Sequence, residues 1–188
     1  MKRLVCLVVP VCLLALHPSP ALAQDRGAEL AVGYTFRHLV IDGNGANIPL
    51  GFSVSVAGRM ARFVSVVGEV TESRRSETEG TVTASLNDFT FAGGIRLSKA
   101  ERRGGRRERA RPFVELMIGD SRFSAGLTGL GSVTGSAFHV EPKGGVDLPM
   151  GRSAALRAAV GVEMEHASGG WAHTVRVDVD AVFPLGKR

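Results

Sequence analysis

The residues best suited to chemistry lie near the end of the sequence, in the segment 166–170, which reads His-Ala-Ser-Gly-Gly. A histidine close to a serine suits nucleophilic attack on an ester, because the imidazole accepts the hydroxyl proton while an acid orients the imidazole. His166 and Ser168 would fill the first two roles, and Glu163 or Glu165 would be the acid. The alternative is a Gly/Ser-rich hairpin loop without a catalytic role. We expect this second interpretation, since glycine leaves the backbone unconstrained.

Metal and cofactor chemistry has little support in the sequence. The histidines beyond residue 23 lack a fixed ligand spacing; they are His38, His139, His166 and His173. His139 and Glu141 would share one face of a strand, where we expect them to join an internal polar network. The glycine-containing stretch 42–45 precedes a strand and not a helix, so it predicts no phosphate site. We therefore expect no catalytic residue, no metal and no cofactor.

The elements that must position these residues are β-strands, because apolar residues recur at every second position and no helical period is present. Between Leu50 and Ala57, for example, Leu, Phe, Val and Val alternate with Gly, Ser, Ser and Ala. Eight segments follow this pattern: 28–39, 48–58, 62–72, 82–97, 112–122, 136–148, 154–166 and 173–185. Tight turns are expected at 58–61 and 149–153. Polar or Gly-rich loops are expected at 40–47, 73–81, 123–135 and 167–172.

Each segment has an apolar face and a second face that mixes charges with Gly and Ala, and two kinds of eight-stranded barrel fit this pattern. A soluble, periplasmic, lipocalin-like barrel would direct the apolar face inward, around a small apolar ligand. A transmembrane barrel would direct it toward lipid and enclose the charged face. Small residues suit a narrow lumen, and enclosed acids and bases can pair across strands. The sequence therefore predicts an all-β, antiparallel, up-and-down transmembrane barrel.

Two details of this barrel are predicted as well. We expect the first strand to pair with the last, since lipid cannot satisfy the hydrogen-bonding groups of a free strand edge. We expect Val54, Val160 and Val177 to face lipid, because each lies on the apolar face of its segment. The segments also meet the length of about 9–11 residues that a spanning strand needs.

Residues 1–23 have the pattern of a secretory signal peptide. Two basic residues precede an apolar stretch of about 13 residues, and alanines at 21 and 23 form an A-x-A-like cleavage site. Cleavage there would leave residues 24–188 as one outer-membrane β-barrel domain. Both cysteines lie within residues 1–23, so the remaining chain has neither a disulfide nor a thiol. The expected location is the outer membrane.

The positive charge of the sequence is concentrated in one stretch, residues 98–111. It contains seven basic side chains against two acidic ones: Lys99, Arg102, Arg103, Arg106, Arg107, Arg109 and Arg111, against Glu101 and Glu108. The stretch has no aromatic residue to stack on bases, which argues against nucleic-acid binding. Two interpretations remain open: a solvated loop, or a loop that meets anionic lipid headgroups or another acidic periplasmic partner.

With these strands laid out, the chain resembles the small outer-membrane β-barrel family typified by the OmpA transmembrane domain and OmpX. The segments that carry the resemblance are 31–36, 91–97, 111–116, 144–149, 156–158 and 176–183. The resemblance implies an eight-stranded barrel embedded in outer-membrane lipid, expected to be a monomer with a structural or interaction role and no catalytic activity.

A second resemblance concerns residues 166–170, the His-Ala-Ser-Gly-Gly segment described first. The spacing of His166 and Ser168 is similar to the His-x-Ser arrangement of the lipid A 3-O-deacylases, which are also eight-stranded outer-membrane barrels. That resemblance implies an enzyme that cleaves an acyl ester of lipid A. It stands as the enzymatic alternative to the structural barrel, beside the soluble ligand-binding one.

Overall fold

The computed structural model describes residues 27–41, 44–79, 82–98, 110–127, 131–151, 153–167 and 169–185. Residues 1–23, assigned above to a signal peptide, lie outside this part. Eight strands are present: β1 (Ala28–Ile41), β2 (Asn44–Arg59), β3 (Val64–Glu79), β4 (Val82–Ser98), β5 (Arg111–Leu127), β6 (Gly131–Pro149), β7 (Ala155–Ala167) and β8 (Gly170–Leu185). In the described residues, no helix has the length and apolar character needed to cross a membrane.

The strands form a closed barrel in which each pairs antiparallel with its neighbours in the chain. Closure is made by β1 and β8, whose pairing runs from Ala28 opposite Leu185 to Val40 opposite His173. The predicted up-and-down topology and the pairing of the first strand with the last are both confirmed. Because the sheet closes on itself, the barrel wall has no free edge.

The alternation in the sequence separates the inside of the barrel from the outside. In β8, Arg176, Asp178 and Asp180 are buried in the lumen, while Val177 and Val179 between them are exposed on the outer surface. The same holds around the barrel, where the large exposed side chains are mostly Val, Leu, Ile and Phe. The arrangement is that of a transmembrane barrel. It contradicts the lipocalin-like alternative, since the lumen is lined by charges and not by an apolar ligand cavity.

Small residues on the inner face let neighbouring strands and long charged side chains approach closely. A Cβ atom at Gly161 would lie 2.8 Å from Glu141 Oε1, so the missing side chain leaves room for that carboxylate. A Cβ atom at Gly119 would collide with the backbone of Phe91 on β4. Glycine at these inward positions is therefore required by space, as expected for the narrow lumen of eight strands.

The strands are longer than the sequence predicted, and the predicted loops are mostly strand. The stretches 40–47, 73–81 and 123–135 continue the hairpins β1–β2, β3–β4 and β5–β6, apart from a few residues outside the described part. The stretch 167–172 belongs largely to β7 and β8, with Trp171 inside β8 and not in a loop. Turns were expected correctly near 58–61 and 149–153. Most of the basic stretch, residues 99–109, lies outside the described residues.

Candidate functional site

The lumen is filled by a connected set of ion pairs that converge on Arg176. This residue lies on β8 with 1% of its surface exposed. Its Nη1 lies 2.8 Å from Glu69 Oε1 and 3.2 Å from Glu141 Oε2, and its Nε lies 2.7 Å from Asp178 Oδ1. Nε also donates a 3.0 Å hydrogen bond to Thr35 Oγ1. One guanidinium thus ties β1, β3, β6 and β8 together across the lumen.

Two further cations extend the set at this level. Lys143 Nζ lies 2.8 Å from Glu69 Oε2 and 3.4 Å from Glu115 Oε1. Arg37 pairs with Asp88, and its Nη2 lies 2.8 Å from Glu163 Oε1. These cations come from β1 and β6, so the sequence places them far apart and the closed barrel brings them together.

A second group of pairs lies near Ala28 and Leu185, where β1 begins and β8 ends. Arg157 Nε donates a 2.7 Å hydrogen bond to Asp147 Oδ1, and both Arg157 and Arg96 pair with Glu29. The guanidinium carbons of Arg96 and Arg157 stand 4.9 and 5.0 Å from the centre of the Phe113 ring, within cation–π range. These contacts close this end of the lumen with side chains.

The connected set contains more acids than bases. Its members among the described residues are eight carboxylates, Glu29, Glu69, Asp88, Glu115, Glu141, Asp147, Glu163 and Asp178, and five cations, Arg37, Arg96, Lys143, Arg157 and Arg176. Asp180 and Glu165 also point inward and add to the excess. Because buried charges are costly unless paired, this excess of acid must be offset either by a further cation or by protons on some of the carboxylates.

His139 lies within this acidic part of the lumen with 0% of its surface exposed. Its Nε2 stands 3.7 Å from Glu141 Oε2, and its Nδ1 stands 3.7 Å from Glu165 Oε1, both too far for a hydrogen bond. Neither ring nitrogen has a hydrogen-bond partner in the described part of the chain. The sequence correctly placed His139 and Glu141 in an internal polar network.

The described residues do not bring the candidate acids of the catalytic group next to His166. His166 faces outward on β7, where its ring lies 4.8 Å from that of Trp171 on β8. Glu163 is buried in the lumen on the other face of the same strand, and Glu165 also points inward. Neither acid therefore orients His166 from this position, and Ser168 lies outside the described residues.

What the sequence missed is the grouping of Glu163 with His139 and Glu141. These three residues each offer one ligand atom, and the atoms lie within 4.8 Å of one another. The sequence did contain part of the information needed to find this cluster, because the alternating pattern puts residues 139, 141, 163 and 165 at inward positions of their strands. Their meeting depends on the register of β6 and β7, in which His139 is opposite Glu165, and periodicity alone does not reveal a register.

Neither a protein-family model nor a curated protein matches the sequence. Solved structures with the same fold include the attachment invasion locus protein Ail of Yersinia pestis, in complex with the heparin analogue sucrose octasulfate. It is 15% identical with a TM-score of 0.61, covering 85% of this chain and 100% of Ail.

Two further solved structures share this fold. Neisserial surface protein A is 11% identical with a TM-score of 0.61, covering 84% of this chain and 95% of that one. The outer membrane protein OprG from Pseudomonas aeruginosa is 9% identical with a TM-score of 0.51, and the alignment covers 88% of this chain and 99% of OprG. At such identities the likeness concerns the fold. This chain therefore has the fold of the small eight-stranded outer-membrane β-barrel proteins, as its resemblance to the OmpA and OmpX family implied.

Proposed function

We propose that this chain is a monomeric outer-membrane protein that holds an extracellular β-sheet outside the membrane as a binding surface, and that it is not an enzyme. The observation that carries this proposal is the unequal length of the strand pairings. The strands β3 to β6 remain paired with one another beyond the level at which the β2–β3 and β6–β7 pairings end, so these four strands extend past the closed barrel as a sheet.

In the described part of the chain, the extended sheet has on each side an edge that no neighbouring strand pairs with. Pairing of β5 with β6 continues to Leu127 opposite Gly131, whereas pairing of β6 with β7 stops at Phe138 opposite His166. Residues 131–137 of β6 are thus paired on one side only. On the opposite side, β3 continues to Glu79 after its pairing with β2 has ended. A free strand edge presents backbone donors and acceptors to which an extended protein segment can add as a further strand.

The outer surface of the barrel indicates which end leaves the membrane. The apolar outward positions of β5 end at Ile118, and Asp120 and Arg122 follow them. On β6, the outward side chains beyond Phe138, which is opposite Asp120, are Ser136, Thr134 and Ser132, all polar. Outer-membrane barrels have short periplasmic turns and longer extracellular connections. We therefore assign the extended hairpins to the cell exterior.

The ligand of Ail, a heparin analogue, is not carried over to this chain. The outward arginines at the hairpin end of the barrel, Arg74 and Arg122, are paired with Glu72 and Asp120. A sulfated sugar is bound by unpaired cations, and these arginines already have carboxylate partners. A protein strand that adds to the free edge of β6 fits the described surface better.

The basic stretch 98–111 belongs to the opposite end of the barrel. It connects the end of β4 with the start of β5, on the side where β1 begins and β8 ends. With the hairpins outside the cell, its anionic partner would be the inner-leaflet headgroups or another acidic periplasmic group, and each Lys or Arg near such a surface contributes about 1 kcal/mol.

Surface labelling tests the location and the orientation. Because the chain beyond residue 23 has no cysteine, single cysteines can be placed at Val133, in the extended sheet, and at Ala61, in the β2–β3 turn. On intact cells, a membrane-impermeant maleimide is expected to label Val133→Cys and to leave Ala61→Cys unmodified until the cells are lysed. The reverse pattern would show that the hairpins face the periplasm, and recovery in the soluble fraction would contradict the membrane location.

Shortening the β5–β6 hairpin tests whether the extended sheet is needed for folding of the barrel. Replacing residues 124–134 with Asn-Gly leaves the β5–β6 pairs within the barrel wall intact and supplies a suitable two-residue turn. We expect the shortened protein to insert and to resist denaturant within about 1 kcal/mol of wild type, as surface changes do. A variant that no longer inserts would show that the hairpin is part of the structural core.

A further inference from the structure

The acidic part of the lumen contains a buried histidine without a hydrogen-bond partner. Burying a polar group that makes no hydrogen bond is costly, and such groups in a native protein call for an explanation such as a bound ion. Within the described structure, both ring nitrogens of His139 are buried and make no hydrogen bond. Glu141 Oε1 is also buried without a hydrogen bond, and Glu163 Oε1 accepts no well-aligned one although a guanidinium nitrogen of Arg37 lies 2.8 Å away.

These three side chains have the separation of ligands around one metal ion. Two ligand atoms that each stand about 2.1 Å from a tetrahedral ion are about 3.4 Å apart. His139 Nε2 and Glu141 Oε2 are 3.7 Å apart, and all three ligand atoms lie within 4.8 Å of one another. Closing the set around one ion takes a side-chain movement of about 1 Å.

The charge of the surroundings favours a cation here despite the nearby basic groups. Arg37, Lys143 and Arg176 all approach Glu141 or Glu163, and each of them is shared among several carboxylates. The connected set nevertheless has eight carboxylates for five cations, so a divalent ion would offset an excess that the protein's own side chains leave.

The residues behind the set complete it. A metal-bound histidine usually directs its other ring nitrogen to a carboxylate, which fixes the orientation of the ring. Glu165 Oε1 occupies that place, 3.7 Å from His139 Nδ1. Gly161 leaves the space in which Glu141 Oε1 lies, since a Cβ atom there would stand 2.8 Å from this oxygen.

We propose that the barrel lumen binds one Zn²⁺ ion through His139, Glu141 and Glu163, with Glu165 as the positioning residue of the histidine. One imidazole and two carboxylates suit zinc, whereas Ca²⁺ and Mg²⁺ prefer an all-oxygen site. The site lies inside the closed barrel, one inward position from the extended part of β6, and its zinc binding is independent of the binding role proposed above. Its place between β6 and β7 gives it a structural function, the bridging of two neighbouring strands from inside.

Zinc content after refolding tests this proposal. The full barrel is purified from outer membranes in detergent, stripped with EDTA in denaturant, and refolded with ZnCl2 so that the buried site fills during folding. After desalting, mass spectrometry of the metal is expected to find about one zinc per barrel. Cobalt in place of zinc is expected to show the visible absorption of a four-coordinate site.

Matched variants distinguish zinc bound at this site from zinc bound adventitiously at exposed histidines. His139→Gln and Glu163→Gln nearly preserve side-chain volume and are expected to lower the zinc affinity by at least tenfold. Glu165→Gln, which removes the charge of the positioning residue, is expected to lower it by about 10–100-fold. His173→Ala changes an outward, exposed residue of β8 and is expected to retain the wild-type zinc content.

The gel shift between boiled and unboiled samples shows which variants have folded. If the wild-type barrel folds without retaining zinc, the proposal is overturned. Protons on the carboxylates would then offset the acidic excess of the lumen. Zinc retained equally by folded wild type and folded His139→Gln would overturn the proposal as well. Should either glutamine variant fail to fold, the comparison of wild type with Glu165→Gln and His173→Ala decides the question by affinity.

Discussion

Replacing Arg176 with methionine is expected to destabilise the barrel by about 3–5 kcal/mol, the usual effect of removing one partner from a buried ionic group. Methionine retains much of the length of the side chain but removes the charge on which Glu69, Glu141 and Asp178 converge. Those carboxylates would then repel one another at short range in a lumen from which they cannot move away. The free energy of unfolding, from denaturant titration in lipid vesicles, measures the effect.

An outward arginine provides the control for this experiment. Arg122 is exposed and pairs with Asp120 at 3.5 Å on the surface of the barrel. Surface ion pairs contribute about 0–1 kcal/mol, so Arg122→Met is expected to change the stability little. Arg176→Lys keeps the charge without the planar fork of donors, and it is expected to fall between Arg176→Met and wild type.

The carboxylates themselves provide a sharper check. If repulsion among the acids is the cause, then adding Glu69→Gln to Arg176→Met should recover part of the lost stability. Loss of packing alone would make the two changes additive or worse. A loss below about 1 kcal/mol in Arg176→Met would contradict the view that this guanidinium holds the lumen together.

The sequence predicted which residues face inward because a strand has a period of two. Arg176 and Asp178 flank Val177, so any strand through this region separates the charged pair from the valine. Whether the charged face is inside or outside was decided by the small residues that share it, such as Gly161. A surface in contact with water would not need glycine, whereas a narrow lumen does.

The period-two pattern does not reveal how deep in the barrel a residue lies or which residues it contacts on other strands. The meeting of His139 with Glu163 depends on the register of β6 and β7, and that of Arg37 with Asp88 joins β1 to β4 across the lumen. Such contacts follow only once all eight registers are known together.

The errors in strand length have a physical origin as well. A hairpin outside the membrane does not need an apolar face toward lipid, so β5 and β6 can include residues 123–127 and 131–135, which are rich in Gly, Ser and Thr. Polar composition was taken as the sign of a loop. The segment after His166 was misread for the same reason. Once it is treated as strand, Glu163 and Glu165 lie on the face opposite His166, so the sequence alone could have excluded both as the acid that orients this histidine.

The lipid-facing side of the barrel gives the second large effect. Val177→Arg is expected to cost about 2–4 kcal/mol in lipid vesicles, the range for a charged residue at mid-depth of a bilayer. Val177 is exposed on the outside of β8, opposite Val160 on β7 and Phe36 on β1. Its neighbours are apolar, so the new guanidinium would have no acid to pair with on these flanking strands.

The position of Val177 along β8 supports this depth. Trp171 and Phe183 lie on the same outer face, six residues before and six residues after it. Six residues of strand extend about 20 Å, and a tilt of about 40° reduces this to about 15 Å along the membrane normal. The two aromatic rings would then lie near opposite interfaces, where such side chains prefer to be, with Val177 midway between them.

The matched control is Val133→Arg, in the part of β6 that extends beyond the barrel. Val133 is also a valine in a strand, with 70% of its surface exposed, but it lies beyond the apolar belt, on the lumen-side face of the extended sheet. Water can solvate an arginine there, so the free energy of unfolding should stay within about 0.5 kcal/mol of wild type. If both arginine variants unfold like wild type, the outer face of β8 is in water and the membrane assignment is wrong. If both are destabilised equally, the extended sheet is embedded too, and the free edge of β6 is not available to a partner.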